Sequence, residues 1–244
     1  VGDGLGLDWP FLSYPEYVAT VEGRGHAINV ASLLGHTPLR LYVMGEEATE
    51  REATPEELER MKRLVREAMN AGAIGFSSSK AATHHGAGGK PVPSRLASFG
   101  EVDALVATMR ESGRGVFQAA VGKGLFNDEL SDLARRHRVP ITWTALLAGM
   151  AGPGSHRRYL DVAAAQAAEG LTIVPQIACR PIQFDFHLEE PYPFEILPSF
   201  REIMRSGREG KLRTYADPSF RARFKEESVP GAKNACAGWV ESRV

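Results

Sequence analysis

The sequence predicts an α/β protein of parallel strands, built as a partial (β/α) barrel of the TIM type or as an open α/β sheet. Three observations point there. Short apolar runs alternate with helical patterns along most of the chain. The runs are continuous in apolar character, as expected of parallel strands covered on both sides. They begin near Ala27, Ala73, Gly115, Val139 and Leu171, a spacing that suits βα units. A complete eight-unit barrel takes about 250 residues. Here 244 residues yield only five or six units, so fewer than eight strands are expected.

Residues 26–36, HAINVASLLGH, read as a first buried strand that ends in Gly-His. Residues 39–44, LRLYVM, read as a second, shorter one. The next segment is helical. Thr54 is placed to cap it, Pro55 suits its first position, and Glu57 completes a capping box. Leu58, Met61, Leu64, Val65 and Met69 recur on one face, and Gly72 closes the helix. AIGF, residues 73–76, follows at once as a strand. Three more helix–strand pairs succeed it. The helices are 101–113, 127–138 with Asn127 as cap, and 156–170. The strands are 115–121, 139–147 and 171–178. Residues 1–244 read as one incomplete barrel domain, with the βα units confined to 27–180. Residues 181–244 read as loop, helix and charged tail.

Hydrophobic residues make up 43% and charged residues 24%, enough to bury a core. The formal net charge is −1, so no nucleic-acid or anionic-membrane partner is expected. Cys179 and Cys236 cannot form a disulfide scaffold, and a reducing, cytoplasmic setting is the expectation. No apolar run approaches a membrane-spanning length. The chain begins at Val1 without Met, so a piece of a longer protein is expected.

Several side chains are placed to do chemistry. His36 would stand at a strand end, on the face where barrels hold their active sites; it is either a structural residue or part of a site. Lys80 follows FSSS at another strand end, as a reactive lysine or as the solvated start of a loop. His84 and His85 lie in the long 81–96 loop, and loops of that length are often functional. Adjacent histidines do not have zinc-site spacing, so His84 is the candidate for touching substrate. Gln118, Thr144 and Gln176 come late in three successive strands and would either line one mouth or pair with each other. Arg180 offers a planar fork for a carboxylate. Cys179 is expected to be small and buried. His26, His137 and His156 are expected to be solvated.

INVASLLGHTPLRLYVMG, ATPEELERMKRLVREAMNAGAIGFSSS and GKPVPSRLASFGEVDALVATMRESGRGVFQ together resemble the N-acyl-D-amino-acid deacylase (D-aminoacylase) branch of the amidohydrolase superfamily. The resemblance runs in order from about Leu7 to Arg223. It implies a barrel of the metal-dependent hydrolase kind. It also implies zinc or another divalent metal, a small N-acylated substrate and hydrolysis of its C–N bond by a metal-activated water. Under it, His36 and Lys80 become the metal candidates, since a strand-end lysine in such enzymes can be carbamylated to bridge two metals. Arg180, Gln118, Thr144 and His84 become substrate contacts. The usual His-x-His pair is absent from the sequence. The strands at 115–121 and 139–147 carry Gln118, Thr142 and Thr144 where such enzymes usually carry histidines. A non-catalytic binding or scaffold protein on the same barrel is the competing expectation. Oligomerisation is expected to be possible.

Overall fold

In a computed structural model, residues 10–86, 90–148, 154–180, 185–191, 194, 197–201 and 203–228 are described. They form a five-stranded, all-parallel sheet in the order β1 (Leu34–Gly35), β2 (Gly75–Ser79), β3 (Val116–Ala120), β4 (Ile141–Thr144) and β5 (Ile173–Pro175). Each strand pairs with the next in sequence. That is the order a barrel wall produces, and five is the number of strands among the described residues.

The helices are α1 (Tyr14–Gly23), α2 (His36–Met44), α3 (Pro55–Asn70), α4 (Phe99–Arg110), α5 (Asn127–His137), α6 (Ser155–Ala168), α7 (Pro198–Arg201), α8 (Arg208–Ala216) and α9 (Pro218–Glu227). The α3 cap forms as its sequence dictates. Thr54 Oγ1 accepts from the Glu57 N–H at 3.2 Å, and the Glu57 carboxylate accepts from the Thr54 N–H at 2.8 Å. Apolar residues of α3, α4 and α5 then meet Phe76, Phe117, Ile141 and Trp143 in one core.

Three expectations are corrected. LRLYVM is not a strand but most of α2. Leu39 and Val43 are buried at i, i+4, while Leu41 and Tyr42 are exposed. A six-residue apolar run does not distinguish the two periods, and Pro38 sits in the first turn, where no N–H is needed. The first strand is two residues long rather than eleven. Residues 26–31 are exposed, because among the described residues β1 pairs with β2 alone and residues before Ser32 lie beyond the reach of β2. Asn127 is not the cap of α5. It is the first helical residue, and the Phe126 N–H donates to the Glu129 carboxylate at 3.0 Å.

Burial alternates along the strands instead of being continuous. In β3 Phe117 and Ala119 are buried, while Val116, Gln118 and Ala120 are half-buried. In β4 Ile141 and Trp143 are buried, while Thr142 and Thr144 are half-buried. Only one face of the sheet is therefore sealed by helices. The other, which would be the inside of a barrel, carries Ser77, Ser79, Gln118, Ala120, Thr142 and Thr144. Beyond residue 185, α7, α8 and α9 gather round a small aromatic cluster of Phe200, Phe220 and Phe224. No helix among the described residues is long and apolar enough to cross a membrane.

Candidate functional site

Parallel register sets the geometry of the inner face. Ser77 pairs with Gln118 and Gln118 with Thr142; one rung further on, Ser79 pairs with Ala120 and Ala120 with Thr144. The second rung is at the C-terminal ends of the strands, where barrel enzymes build their sites. Gln118 Nε2 reaches along the sheet and donates to Thr144 Oγ1 at 2.6 Å. Thr144 Oγ1 in turn donates to Gln176 Oε1 at 3.3 Å. Of the two expectations for these residues the structure shows the second: they pair with each other, as a row of amides and a hydroxyl. Ala120 leaves the middle of the upper rung open.

The end of β2 is tied down differently. Lys80 Nζ donates to Arg95 O at 2.9 Å and also to Ala97 O. Partial burial holds the Lys80 ammonium below the ordinary lysine range. Two of its three N–H donors clamp the segment at 93–97. Gly122 lets the chain leaving β3 pass close to the end of β2, since a Cβ there would lie 1.9 Å from the Lys80 carbonyl oxygen. His84 lies over the same strand end. Its Nδ1 is 2.6 Å from Ser79 Oγ. Its backbone is held by Val92 N–H at 3.3 Å and by Arg95 Nη1 at 3.2 Å. Partial desolvation, then the Arg95 and His85 charges, hold the His84 imidazole below its usual value. Arg95 also reaches His85 Nε2 at 3.2 Å.

His36 is on the other side of the sheet. It opens α2, is 1% exposed and packs on Phe76 at 5.2 Å between ring centroids. Its Nδ1 is 2.8 Å from Ser78 Oγ and its Nε2 is 2.7 Å from Glu101 Oε1. Arg40, one turn along α2, grips both Glu101 oxygens and donates to Arg51 O at 2.7 Å. Burial keeps His36 neutral, below its usual pKa, against the pull of Glu101. The neutral ring therefore donates Nε2–H to the carboxylate and accepts from Ser78. Burial would raise the Glu101 carboxyl, but the bonds from His36 and Arg40 outweigh it and hold it low. Sequence reasoning passed over Glu101, Ser78 and the role of Arg40. The i, i+4 spacing of His36 and Arg40 was the available signal, once that segment is helical.

Arg180 is exposed, five residues past the end of β5, and Cys179 beside it is exposed rather than buried. His26 is exposed. His137 is not simply solvated but bonded to Asp103 at 2.6 Å, and His156 Nδ1 is buried. Cys236 lies outside the described residues.

The donor set does not suit a divalent metal. Zinc takes imidazole, thiolate or carboxylate ligands, and no group of three or more His, Cys, Asp or Glu among the described residues could hold one. Both nitrogens of His36 are engaged behind the sheet, and Lys80 is committed to two carbonyls. Hydroxyls and amides occupy the inner face instead.

Comparison with known proteins bears on this geometry. No protein-family profile matches the chain. An uncharacterised protein of Mycobacterium tuberculosis is 35% identical over 112 residues, 43% of this chain and 18% of that protein. D-aminoacylase of Alcaligenes xylosoxydans is 37% identical over 73 residues, 30% of this chain and 15% of the enzyme. Among solved structures, a D-aminoacylase described as defining a novel subset of amidohydrolases superposes with a TM-score of 0.57 at 24% identity. It covers 70% of this chain and 34% of its own. N-acyl-D-glutamate deacylase of Bordetella bronchiseptica, complexed with zinc and a phosphonate mimic of the tetrahedral intermediate, gives 0.55 at 23%, with 69% and 34% covered. The chain thus spans less than a fifth of the curated relatives it matches and about a third of these structures. Its neighbours are of the branch that its sequence resembles, and its five-stranded parallel sheet matches part of their fold.

Proposed function

We propose that this chain is a section of barrel wall in an amidohydrolase that cleaves the C–N bond of small N-acylated amino acids of the D series. The observation that carries the proposal is the bonded row that runs from Gln118, in the middle of β3, to Thr144 at the end of β4 and Gln176 just past β5. The likeness of the chain's fold to parts of D-aminoacylase and N-acyl-D-glutamate deacylase supports the reading. An amide substrate offers one acceptor and one donor, and this row can return both. Gln118 and Thr144 would hold the acyl oxygen and nitrogen in register with the open upper rung. His84 would close over the reacting bond from the rim loop. Arg180, exposed at the same end of the sheet, would take the substrate carboxylate in two parallel bonds.

A second reading keeps the same cavity as a binding site without turnover, and the metal-poor donor set favours it. One assay separates the two. The intact protein is offered matched N-acetyl-D- and N-acetyl-L-amino acids and release of free amino acid is followed. Turnover of the D series with little of the L series supports the hydrolase. Binding of the D series without release supports the second reading, and neither binding nor release refutes both.

A further inference from the structure

We propose that a cavity on the helix side of β1 binds a small arylalkylammonium ion, at a site apart from the inner face and independent of the hydrolase reading.

The cavity has a volume of about 280 Å³, just under the roughly 300 Å³ at which small-molecule sites begin. Leu34 and Gly35 of β1 line it, together with residues of α1, α2 and α3. Pro38, Leu39 and Leu64 make much of it apolar. Its aromatic wall comes from Tyr14 and Tyr17 of α1 and from Phe11 just before that helix. The Phe11 and Tyr17 rings meet edge to face, 5.3 Å apart at 70°. Tyr14 and Tyr17 lie 5.8 Å apart at 55°, so neighbouring rings are tilted like the sides of a cage. Tyr14 is held from behind. Its hydroxyl donates to Ser32 O at 3.0 Å and, with that proton spent, accepts from Ser32 Oγ at 2.6 Å. Tyr42 of α2 also lines the cavity and stays exposed, so the cavity opens to solvent.

Glu67 of α3 is the one carboxylate in the lining. It has no side-chain hydrogen bond or ion pair among the described residues. Arg66 beside it is taken by Glu111 at 2.6 Å, and Arg63, one turn back, makes no ion pair with it. Because α1 packs against α3, the aromatic wall and Glu67 adjoin. One unpaired negative charge beside tilted rings is complementary to one positive charge on an apolar body. Ring faces attract a cation within about 6 Å of the centroid, and a carboxylate accepts from an ammonium in a charge-assisted bond. No arginine, lysine or histidine lines the cavity, so a carboxylate finds no counterpart there. Neither an N-acyl amino acid nor the amino acid released from one matches it. A primary amine on a short chain with one aromatic ring does. Its ring fits among Pro38, Leu39 and Leu64, and its ammonium lies between Glu67 and the tyrosine rings.

Phenethylamine, charged at neutral pH as alkylamines are, is the probe. It is titrated into the intact protein by calorimetry, with 2-phenylethanol and phenylalanine as controls. The amine should bind, the neutral alcohol should bind about 10-fold more weakly, and phenylalanine should bind more weakly than the alcohol. Glu67→Gln changes an exposed side chain. It should weaken the amine by about 10-fold, the order of one lost charge-assisted bond, and leave the alcohol unchanged, which reports an intact cavity. Tyr17→Leu keeps the wall apolar and removes a ring face, and should weaken the amine by about 2- to 5-fold more than the alcohol. No binding of the amine, equal binding of amine and alcohol, or phenylalanine binding as tightly as the amine would overturn the site. So would an unchanged amine affinity in Glu67→Gln, or loss of the alcohol together with the amine. A crystal structure of the intact protein with a segment of its own chain in the cavity would do the same. Turnover of N-acyl-D-amino acids is not read in this titration, so the two readings stand or fall separately.

Discussion

His36 Nε2 lies 2.7 Å from Glu101 Oε1, with both side chains almost wholly buried behind β2. The pair joins the first residue of α2 to the first turn of α4, across 65 residues of sequence. Arg40 adds a full charge to the same carboxylate. A buried carboxylate left alone would cost more than it returns. Here one oxygen receives His36, both receive Arg40, and the network fixes how two helices sit on the strand that carries Ser79.

Glu101→Ala should therefore cost about 3–5 kcal/mol, the range for removing one partner of a buried pair, because it strands the Arg40 charge. Urea unfolding measures it. A loss below about 1 kcal/mol, the scale of surface pairs, would show that the network does not hold the helices.

Acid should destabilise the protein in two stages. His36 has a lowered pKa in the folded state, so the unfolded chain binds the proton more readily. Its contribution is complete above the unfolded value of 6.5 and declines as pH falls below it. Glu101 is also lowered, so its contribution is present above 4.5 and is lost as pH falls further. Denaturation midpoints from about pH 8 to about pH 4 should fall with acidity, and His36→Gln should flatten the upper part of the curve. A midpoint that rises between pH 6.5 and 4.5 would contradict this.

Gly122→Ala should damage the rim and the fold together. The new Cβ would meet the Lys80 carbonyl oxygen at 1.9 Å and its carbon at 2.4 Å. Those atoms are backbone, so the β2 and β3 ends must part. We expect a destabilisation above about 2 kcal/mol, in the upper part of the range for overpacking. Gly124→Ala, where a Cβ meets nothing within 4 Å, should cost less despite its backbone angle. Equal melting of the two variants would contradict the contact.

Much of the fold was legible in the sequence because local signals agreed with the tertiary ones. The Thr54 box, the α3 stripe and the order of βα units read directly. The errors cluster where neighbours decide. LRLYVM carries both periods, and only burial of Leu39 and Val43 beneath α3 makes it a helix. The first strand shrank because strand length depends on a partner. For the site, strand order placed Gln118, Thr144 and Gln176 near one another, and the direction of the side chains settled that they pair. His36 was misplaced to the mouth because one extra residue of helix turns its side chain behind the sheet, into a carboxylate that sequence spacing could not reveal.

Arg180→Lys should separate charge from geometry. Lysine keeps the cation and loses the two-pronged fit. With the intact protein, KM for N-acyl substrates bearing a free carboxylate should rise about 10-fold, the order of one lost charge-assisted bond, while their neutral amides change little. Equal changes for both would remove Arg180 from the carboxylate role.

The central claim is that the Ser77, Gln118, Thr144 face is the wall of a substrate cavity. The most direct measurement is a crystal structure of the intact protein with a non-hydrolysable N-acyl-D-amino-acid analogue. The account predicts the analogue across the Ser79–Ala120–Thr144 rung, with its acyl group bonded to Gln118 and Thr144 and its carboxylate toward Arg180. An analogue bound elsewhere, or that rung filled by packed apolar side chains, would contradict it.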